Sequence, residues 1–180
     1  MRAFVALPLP DDLTDRLEDI ALGLRFGRAV RAEDMHVTLA FLGDQPEAVL
    51  AELHEELAAI YAPTPQLTVT GLDLFGGDKP RLLFAAIAPD AALSALRQKI
   101  RKAARAVGIA LSHERFRPHI SLRRFHRIAP SERADLDLLL AAKAAFTWPT
   151  FRPTQFEMIQ STLTSEGPVY DGLASYPLSL

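Results

Sequence analysis

Apolar positions along the first forty residues follow a strand period and then a helix period. Residues 2–7 form a short apolar run that ends at Pro8, which predicts a buried strand. Asp11 or Asp12 can then cap a helix. The apolar side chains at helical spacing behind this cap are Leu13, Leu17 and Ile20. After a loop rich in glycine and arginine, residues 35–42 predict a second strand.

The same order of patterns returns in the second half of the chain. Residues 81–88 form an apolar strand closed by Pro89, and a helix pattern follows to about Val107. Matched apolar pairs are Phe4 with Phe84, Leu13 with Leu93, and Ile20 with Ile100, each 80 residues apart. Further along, helices open at Pro46 and Pro130, which are 84 residues apart.

The repeated order predicts an α+β fold in which residues 1–180 form one bilobal domain. The two repeats are approximately residues 1–80 and 81–180, and we expect each to form a small, mostly antiparallel sheet with helices on its outer face. A pseudo-twofold axis between the lobes would leave a central cleft. The alternative is two independent lobes whose functional residues never meet.

One motif occupies the same place in both repeats. It consists of a histidine, a β-branched apolar residue, a hydroxyl residue and a leucine, and it occurs at residues 36–39 and 119–122. Side chains alternate along a strand, so each histidine shares a face with the hydroxyl residue two positions later. A four-residue pattern is weak on its own because it arises often by chance. Two copies in register favour two histidines that face one pocket.

Composition excludes several classes of function. With 180 residues, 49% of them hydrophobic, the chain can bury a core, and its net charge of −2 argues against a broad basic surface for long nucleic acids. The absence of cysteine excludes disulfides, thiolate zinc sites and cysteine nucleophiles. The apolar start is too short for a signal peptide or a membrane span. We therefore expect a cytoplasmic protein with no membrane partner, and a monomer.

Two opposed imidazoles suit a displacement that needs a base on one side and an acid on the other, because their ordinary pKa is about 6.5. Thr38 and Ser121 would donate hydrogen bonds to phosphate oxygens between them. Neither tetrad contains a carboxylate, which argues against a metal-bridged phosphatase. His113, Glu114 and His126 lack the spacing typical of metal ligands. We expect acid–base catalysis with no metal and no cofactor.

The tetrads and their surroundings resemble the two-histidine phosphoesterase superfamily, and above all its RNA 2′,3′-cyclic phosphodiesterases, historically called 2′-5′ RNA ligases. The resemblance spans nearly the whole chain. It rests on residues 2–8, 35–43 and 115–122, and on an ending formed by residues 167–170 and 176–178. The set of segments in this order is far more specific than a single tetrad.

The resemblance implies a bilobal fold and hydrolysis of RNA 2′,3′-cyclic phosphate ends to 2′-phosphate ends, with RNA ends or small cyclic nucleotides as partners. It implies that His36 donates a proton to the departing 3′ oxygen and that His119 accepts a proton from water. The sequence on its own leaves these two roles interchangeable. Reversible 2′-5′ ligation would use the same residues with the roles reversed. Two other possibilities are a nucleotide- or RNA-end-binding module without turnover, and a cleft that binds an unrelated ligand.

Three further substrate-binding candidates come from the resemblance. Arg124 stands five residues after the second histidine, where the family often has an arginine, yet strict alternation places Arg123 on the histidine's face unless a bulge intervenes. Phe41 matches a family aromatic that could stack on a nucleobase, whereas alternation places it in the core. Tyr170 lines the cleft or anchors the last strand. Ser121 replaces a commoner threonine and keeps the hydroxyl, so we expect activity to survive.

Overall fold

The computed structural model describes residues 1–113, 115–165 and 167–179. The α-helices are α1 (Asp11–Leu22), α2 (Glu47–Ala58), α3 (Ala91–Ala106) and α4 (Pro130–Ala142). The strands are β1 (Arg2–Leu7), β2 (Arg28–Ala29), β3 (Val37–Asp44), β4 (Leu67–Phe75), β5 (Leu82–Ile87), β6 (His119–Arg124), β7 (Trp148–Phe151), β8 (Gln155–Thr164) and β9 (Gly167–Pro177). A short 3₁₀ helix, Ala32–Asp34, precedes β3.

The strands form one continuous sheet in the order β7-β4-β5-β6-β3-β1-β8-β9, with β2 paired to the end of β6. Every pair of these strands is antiparallel. The predicted α+β class with antiparallel strands is therefore confirmed. The expectation of two separate sheets is not met, because β3 and β6 pair directly, with Val37 opposite Ile120. This junction lies in the middle of the sheet.

The two halves of the chain exchange strands: the first half lends β4 and the short β2 to the β5–β6 side of the sheet, and the second half lends β8 and β9 to the β3–β1 side. β4 comes from the first half and pairs with β5, while β8 comes from the second half and pairs with β1. Neither half of the chain can therefore complete its part of the sheet alone. The internal repeat at residues 1–80 and 81–180 stays a prediction, but the lobes are not simply its two copies.

The helices also pack across the halves. Helix α1 contacts β6, and α3 contacts β3. Their predicted apolar stripes are buried, and all are at most 3% exposed: Leu13, Leu17, Ile20, Leu93, Leu96 and Ile100. The apolar tetrad positions are also buried, with at most 2% exposure, and they are Val37, Leu39, Ile120 and Leu122. Burial of these side chains fixes which face of β3 and β6 remains for the histidines.

The starts of the helices differ from one another. The predicted cap of α1 by Asp11 or Asp12 is wrong, because Pro10 is the N-cap and the two aspartates lie in the first turn, where their charge suits the helix dipole. In α3 the Asp90 carboxylate does cap, accepting a hydrogen bond from the Leu93 amide at 2.7 Å. Within the described part of the chain, no helix has the length and apolarity needed to cross a membrane.

Candidate active site

The pairing of β3 with β6 brings the two tetrad histidines into one cleft. His36 directly precedes β3 and His119 begins β6, at the point where Val37 lies opposite Ile120. Both rings are partly exposed. They are close enough that a charge on His119 contributes to lowering the pKa of His36. The alternative of two histidines that never meet is thereby removed.

Each imidazole is held in the same way by the backbone two residues earlier. The Nδ1 of His36 lies 2.8 Å from the Asp34 carbonyl oxygen, and the Nδ1 of His119 lies 2.7 Å from the Arg117 carbonyl oxygen. A carbonyl oxygen only accepts, so Nδ1 carries the hydrogen in both rings. In the neutral ring this leaves Nε2 as the basic nitrogen, and in the charged ring Nε2–H is available as a donor.

Aromatic side chains enclose both imidazoles. Phe4 stacks on His36 with ring centroids 4.7 Å apart, and Tyr170 meets the same ring edge-on at 5.5 Å. His119 has two edge-on aromatic neighbours, which are Phe75 at 5.0 Å and Phe84 at 5.3 Å. Rings in such surroundings lose water, which disfavours the charged form.

The pKa values of the two histidines follow from this enclosure. Burial lowers the pKa of His36 to about 4, with a smaller lowering by Arg124 and an opposing effect of the Asp34 carbonyl and charge. Burial also lowers the pKa of His119, and the cations Arg124 and Arg117 lower it further. Both rings are therefore neutral at pH 7 in the free protein. The charge of Arg124 lowers the pKa of both rings.

The hydroxyl residues lie where strand alternation predicts. Thr38 and Ser121 follow their histidines by two positions, and both are half-buried, between core residues on either side. Neither hydroxyl has a hydrogen-bond partner among residues 1–113, 115–165 and 167–179. Each is therefore free to donate a hydrogen bond to a ligand bound between the two rings.

Strands β3 and β6 each contain a β-bulge, and each bulge changes the face of the sheet on which the following residues lie. Ala6 pairs with Thr38 and Val5 with Ala40, so Leu39 is the extra residue in β3. As a result Leu39 and Ala40 are both buried and alternation resumes one residue later. Phe41 is 69% exposed on the face of His36, and the expectation that alternation places it in the core is wrong.

The second bulge has the same offset from its histidine. Phe84 pairs with Ser121 and Leu83 with Arg123, so Leu122 is the extra residue in β6. Arg124 is exposed on the face of His119, whereas Arg123 is only 6% exposed. Strict alternation had placed Arg123 on the histidine's face, and the bulge corrects this in favour of Arg124.

Arg123 has a structural role that the sequence did not indicate. Its guanidinium donates to the carbonyl oxygens of Ala21 at 2.8 Å, Gly27 at 3.3 Å and Phe26. Ala21 lies in the last turn of α1, where unpaired carbonyls favour a cation. Arg123 thus fastens the loop after α1 to the strand that carries His119.

Other residues of the site were also missed or left open. The half-buried Tyr170 lies against His36 and contacts Phe4 edge-on at 5.1 Å, and burial raises the pKa of its hydroxyl. It therefore lines the cleft beside the first histidine. The sequence signal for Phe4 and Phe84 is their matched spacing of 80 residues, which indicates the repeat but not a role beside the histidines. Nothing in the sequence indicated that the carbonyls of Asp34 and Arg117 would hold the rings.

A cavity of about 420 Å³ opens beside His36 and Tyr170. Its wall carries four carboxylate side chains, which are Asp11, Asp15, Glu33 and Glu157. The residues that the structure describes contain no group of three metal-ligating side chains suited to hold an ion. His113 and His126 are both exposed, and Glu114 lies outside the described residues.

The sequence of this chain is similar to those of known proteins. The sequence model of the 2′-5′ RNA ligase superfamily matches residues 9–162. A Geobacillus stearothermophilus protein named RNA 2′,3′-cyclic phosphodiesterase is 32% identical over 97% of this chain, which spans only 56% of that protein's length. A Thermus thermophilus protein of the same name is 30% identical, over 99% of this chain and 90% of its own length.

The fold is shared with solved structures. E. coli LigT complexed with 3′-AMP superposes with a TM-score of 0.80 at 23% identity, covering 99% of this chain and 98% of that chain. At this level of identity the likeness shows the fold alone.

Proposed function

The chain belongs to the 2′-5′ RNA ligase superfamily, and from this premise we propose that it hydrolyses RNA 2′,3′-cyclic phosphate ends to 2′-phosphate ends by paired histidine catalysis without a metal. One observation carries the proposal. Two imidazoles share a cleft, and each has its Nδ1 hydrogen bonded to a carbonyl, so that both Nε2 atoms are available for the reaction.

The proposed reaction is one in-line displacement at phosphorus. His119 accepts a proton from water at Nε2 while the water oxygen bonds to phosphorus. The bond between phosphorus and the 3′ oxygen breaks, and His36 donates its Nε2 proton to that oxygen. The products are a 2′-phosphate and a 3′-hydroxyl. The hydroxyls of Thr38 and Ser121 donate to the non-bridging oxygens, where negative charge increases during the displacement.

The assignment of acid and base rests on the resemblance. The charge of Arg124 favours the neutral form of both rings; at His36 the smaller effect of the Asp34 charge opposes it, whereas at His119 the charge of Arg117 adds to it. An acid must hold a proton before the reaction, and a bound phosphate would supply the negative charge that returns one to His36. His119 needs no proton to act as the base, so its cationic surroundings suit that role.

The substrate contacts complete the proposal. Phe41 offers an exposed aromatic face on which a nucleobase can stack, and Arg124 offers a cation near both histidines. Tyr170 forms one wall beside His36. A single terminal nucleotide therefore has a stacking partner, a cation and two hydroxyl donors within one cleft.

The test is hydrolysis of an oligonucleotide with a 2′,3′-cyclic phosphate in the presence of EDTA. We expect a 2′-phosphate product, and we expect His36→Ala and His119→Ala each to lower the rate by roughly 10²–10⁴. His113→Ala is the matched control, because His113 is an exposed histidine outside the two tetrads. Inhibition by EDTA would overturn the metal-independent mechanism.

Other outcomes distinguish the remaining functions. Accumulation of a joined 2′-5′ product from RNA halves with 5′-hydroxyl ends, with little hydrolysis, would favour ligation. Tight binding of cyclic phosphate ends with no turnover under any condition would favour a binding module.

A further inference from the structure

A second cavity, of about 490 Å³, lies where β5 begins and β6 ends. Four of its lining side chains can carry positive charge, and Asp78 is its one carboxylate. The four are Lys79, Arg81, His126 and Arg127, and all are exposed. These cations are clustered here although the net charge of the chain is −2. The proposed reaction makes no use of it.

This basic cavity is tied to the strand that carries His119. Leu82 pairs with Arg124, and just beyond that pair the Phe125 amide donates to the Arg81 carbonyl oxygen at 2.9 Å. The Arg81 guanidinium donates to the His126 carbonyl oxygen at 3.0 Å. Arg127 is three residues beyond Arg124, so their Cα atoms lie within about 11 Å of each other.

The turn that presents Lys79 is fixed by a glycine. Gly76 has a φ of +106°, and a Cβ at this position would lie 2.3 Å from the Lys79 carbonyl oxygen. The Lys79 amide donates back to the Gly76 carbonyl oxygen at 3.0 Å, and the Arg81 amide donates to that of Phe75 at 2.8 Å. A larger residue at position 76 would disturb this turn. The backbone of the turn that carries Lys79 and Arg81 therefore has a defined conformation.

The opposite side of the cleft has the opposite charge. The cavity beside His36 is lined by four carboxylates, as described above, and a polyanion would be repelled there. On the other side, Arg28 pairs with Arg124 at the end of β6, next to the basic cavity. A chain of phosphates bound at the histidines is therefore favoured to continue past Arg124.

We propose that the basic cavity binds the phosphodiester backbone of the RNA chain on the 5′ side of the cyclic phosphate. This inference rests on the proposed function, because it concerns the same substrate. A mononucleotide occupies only the histidine cleft, while a longer RNA reaches Lys79 and Arg127. The cavity thereby gives the protein a preference for RNA ends over free cyclic nucleotides.

The experiment compares two double variants on two substrates. Lys79→Glu/Arg127→Glu reverses two cavity charges, and Lys102→Glu/Arg105→Glu reverses two exposed charges on α3 as the matched control. Arg81 is left intact because it holds the His126 carbonyl. The substrates are a cytidine 2′,3′-cyclic phosphate and a ten-residue RNA with a 2′,3′-cyclic phosphate end. Binding of a labelled RNA with a 2′-phosphate end is measured by fluorescence anisotropy in parallel.

Salt gives the quantitative readout. Each phosphate contact to single-stranded RNA adds about 0.7 to the slope of log affinity against log salt, so loss of two contacts lowers the slope by about 1.4. Between 50 and 200 mM salt the wild type then loses about sevenfold more affinity for RNA than the cavity variant. We expect the mononucleotide kcat/KM to be unchanged in the cavity variant.

The outcomes separate this inference from the proposed function. A loss confined to the long RNA and to the cavity variant, with a reduced salt slope, supports the inference. Equal losses in both double variants, or unchanged RNA affinity and slope in the cavity variant, overturn it. Absence of wild-type hydrolysis on both substrates overturns the proposed function, and the anisotropy measurement still decides the binding site.

Discussion

The two histidine sites share one backbone design and differ in their charges. In both, a carbonyl two residues earlier holds Nδ1, a hydroxyl follows two residues later, and a bulge brings the fifth residue onto the same face. The residue whose carbonyl holds the ring is the anionic Asp34 at His36 and the cationic Arg117 at His119. The pairing of the strands thus positions two equivalent bases, and the neighbouring side chains make them unequal.

Both neighbouring charges are themselves held in place. The Asp34 carboxylate accepts from the Arg31 guanidinium at 3.1 Å. The Arg117 guanidinium lies 3.3 Å from the Asp73 carboxylate and 4.8 Å above the Phe75 ring. In both pairs the guanidinium is exposed, so the pairs contribute little to stability. Their effect is to fix where a negative and a positive charge stand relative to the two rings.

The largest expected effect tests the inequality of the histidines directly. A cyclic substrate with sulfur in place of the 3′ oxygen has a leaving group that needs no proton. On this substrate we expect the loss caused by His36→Ala, roughly 10²–10⁴ on the natural substrate, to shrink to less than about tenfold. The loss caused by His119→Ala should remain. Rates of both variants on both substrates are the measurement, and rescue of His119→Ala alone would reverse the assignment.

The hydroxyl residues should behave alike, unlike the histidines. Thr38→Ala and Ser121→Ala each remove a donor to the phosphate oxygens, and we expect kcat to fall by about 10²–10³ in each case. Thr38→Ser and Ser121→Thr keep the hydroxyl and should stay within a few-fold of wild type. Steady-state kinetics on a cyclic phosphate end measures this. A full effect at one position and none at the other would show that the phosphate sits asymmetrically.

Arg123 and Arg124 follow the bulge in β6, and we expect the first to affect stability and the second to affect activity. Arg123→Met leaves three carbonyl oxygens without their donor, and we expect the free energy of unfolding to fall by about 2–3 kcal/mol. Arg124→Met, one residue later and exposed, should leave stability within about 0.5 kcal/mol and lower activity instead. Urea unfolding of both variants is the measurement. Equal stability of the two variants would contradict the structural role of Arg123.

Enclosure of His36 makes stability depend on pH. Folding lowers the pKa of His36 from about 6.5 to about 4, so below pH 6.5 the unfolded chain binds a proton that the folded chain does not. Stability should therefore fall as the pH decreases from 7 to 5, and His36 accounts for about 2 kcal/mol of that fall. His36→Gln should remove this part. The measurement is the free energy of unfolding of wild type and His36→Gln between pH 7 and pH 5. The same pH dependence in both proteins would show that folding does not lower the pKa of His36.

Local sequence determined the contents of the cleft but not all of its geometry. The period of two predicted that His36 and Thr38 share a face, because burial of Val37 and Leu39 leaves only that face to them. The bulges could not be predicted, since an extra residue in β3 depends on how β1 pairs with it. The exchange of β4 and β8 between the halves likewise depends on contacts between residues far apart in sequence.

The smallest expected effect concerns Phe41, the counterpart of Arg124 at the fifth position after its histidine. Stacking of a base on an aromatic ring contributes about 1–3 kcal/mol, so Phe41→Ala should raise KM for the cyclic end about tenfold with little change in kcat. Phe41→Tyr keeps the ring and should behave as wild type. Phe41 is 69% exposed, so its removal creates no cavity in the core and leaves stability nearly unchanged. A change in kcat alone would mean that Phe41 acts on the reacting phosphate and histidines rather than on the nucleobase. Phe41 and Arg124 would then have the same role.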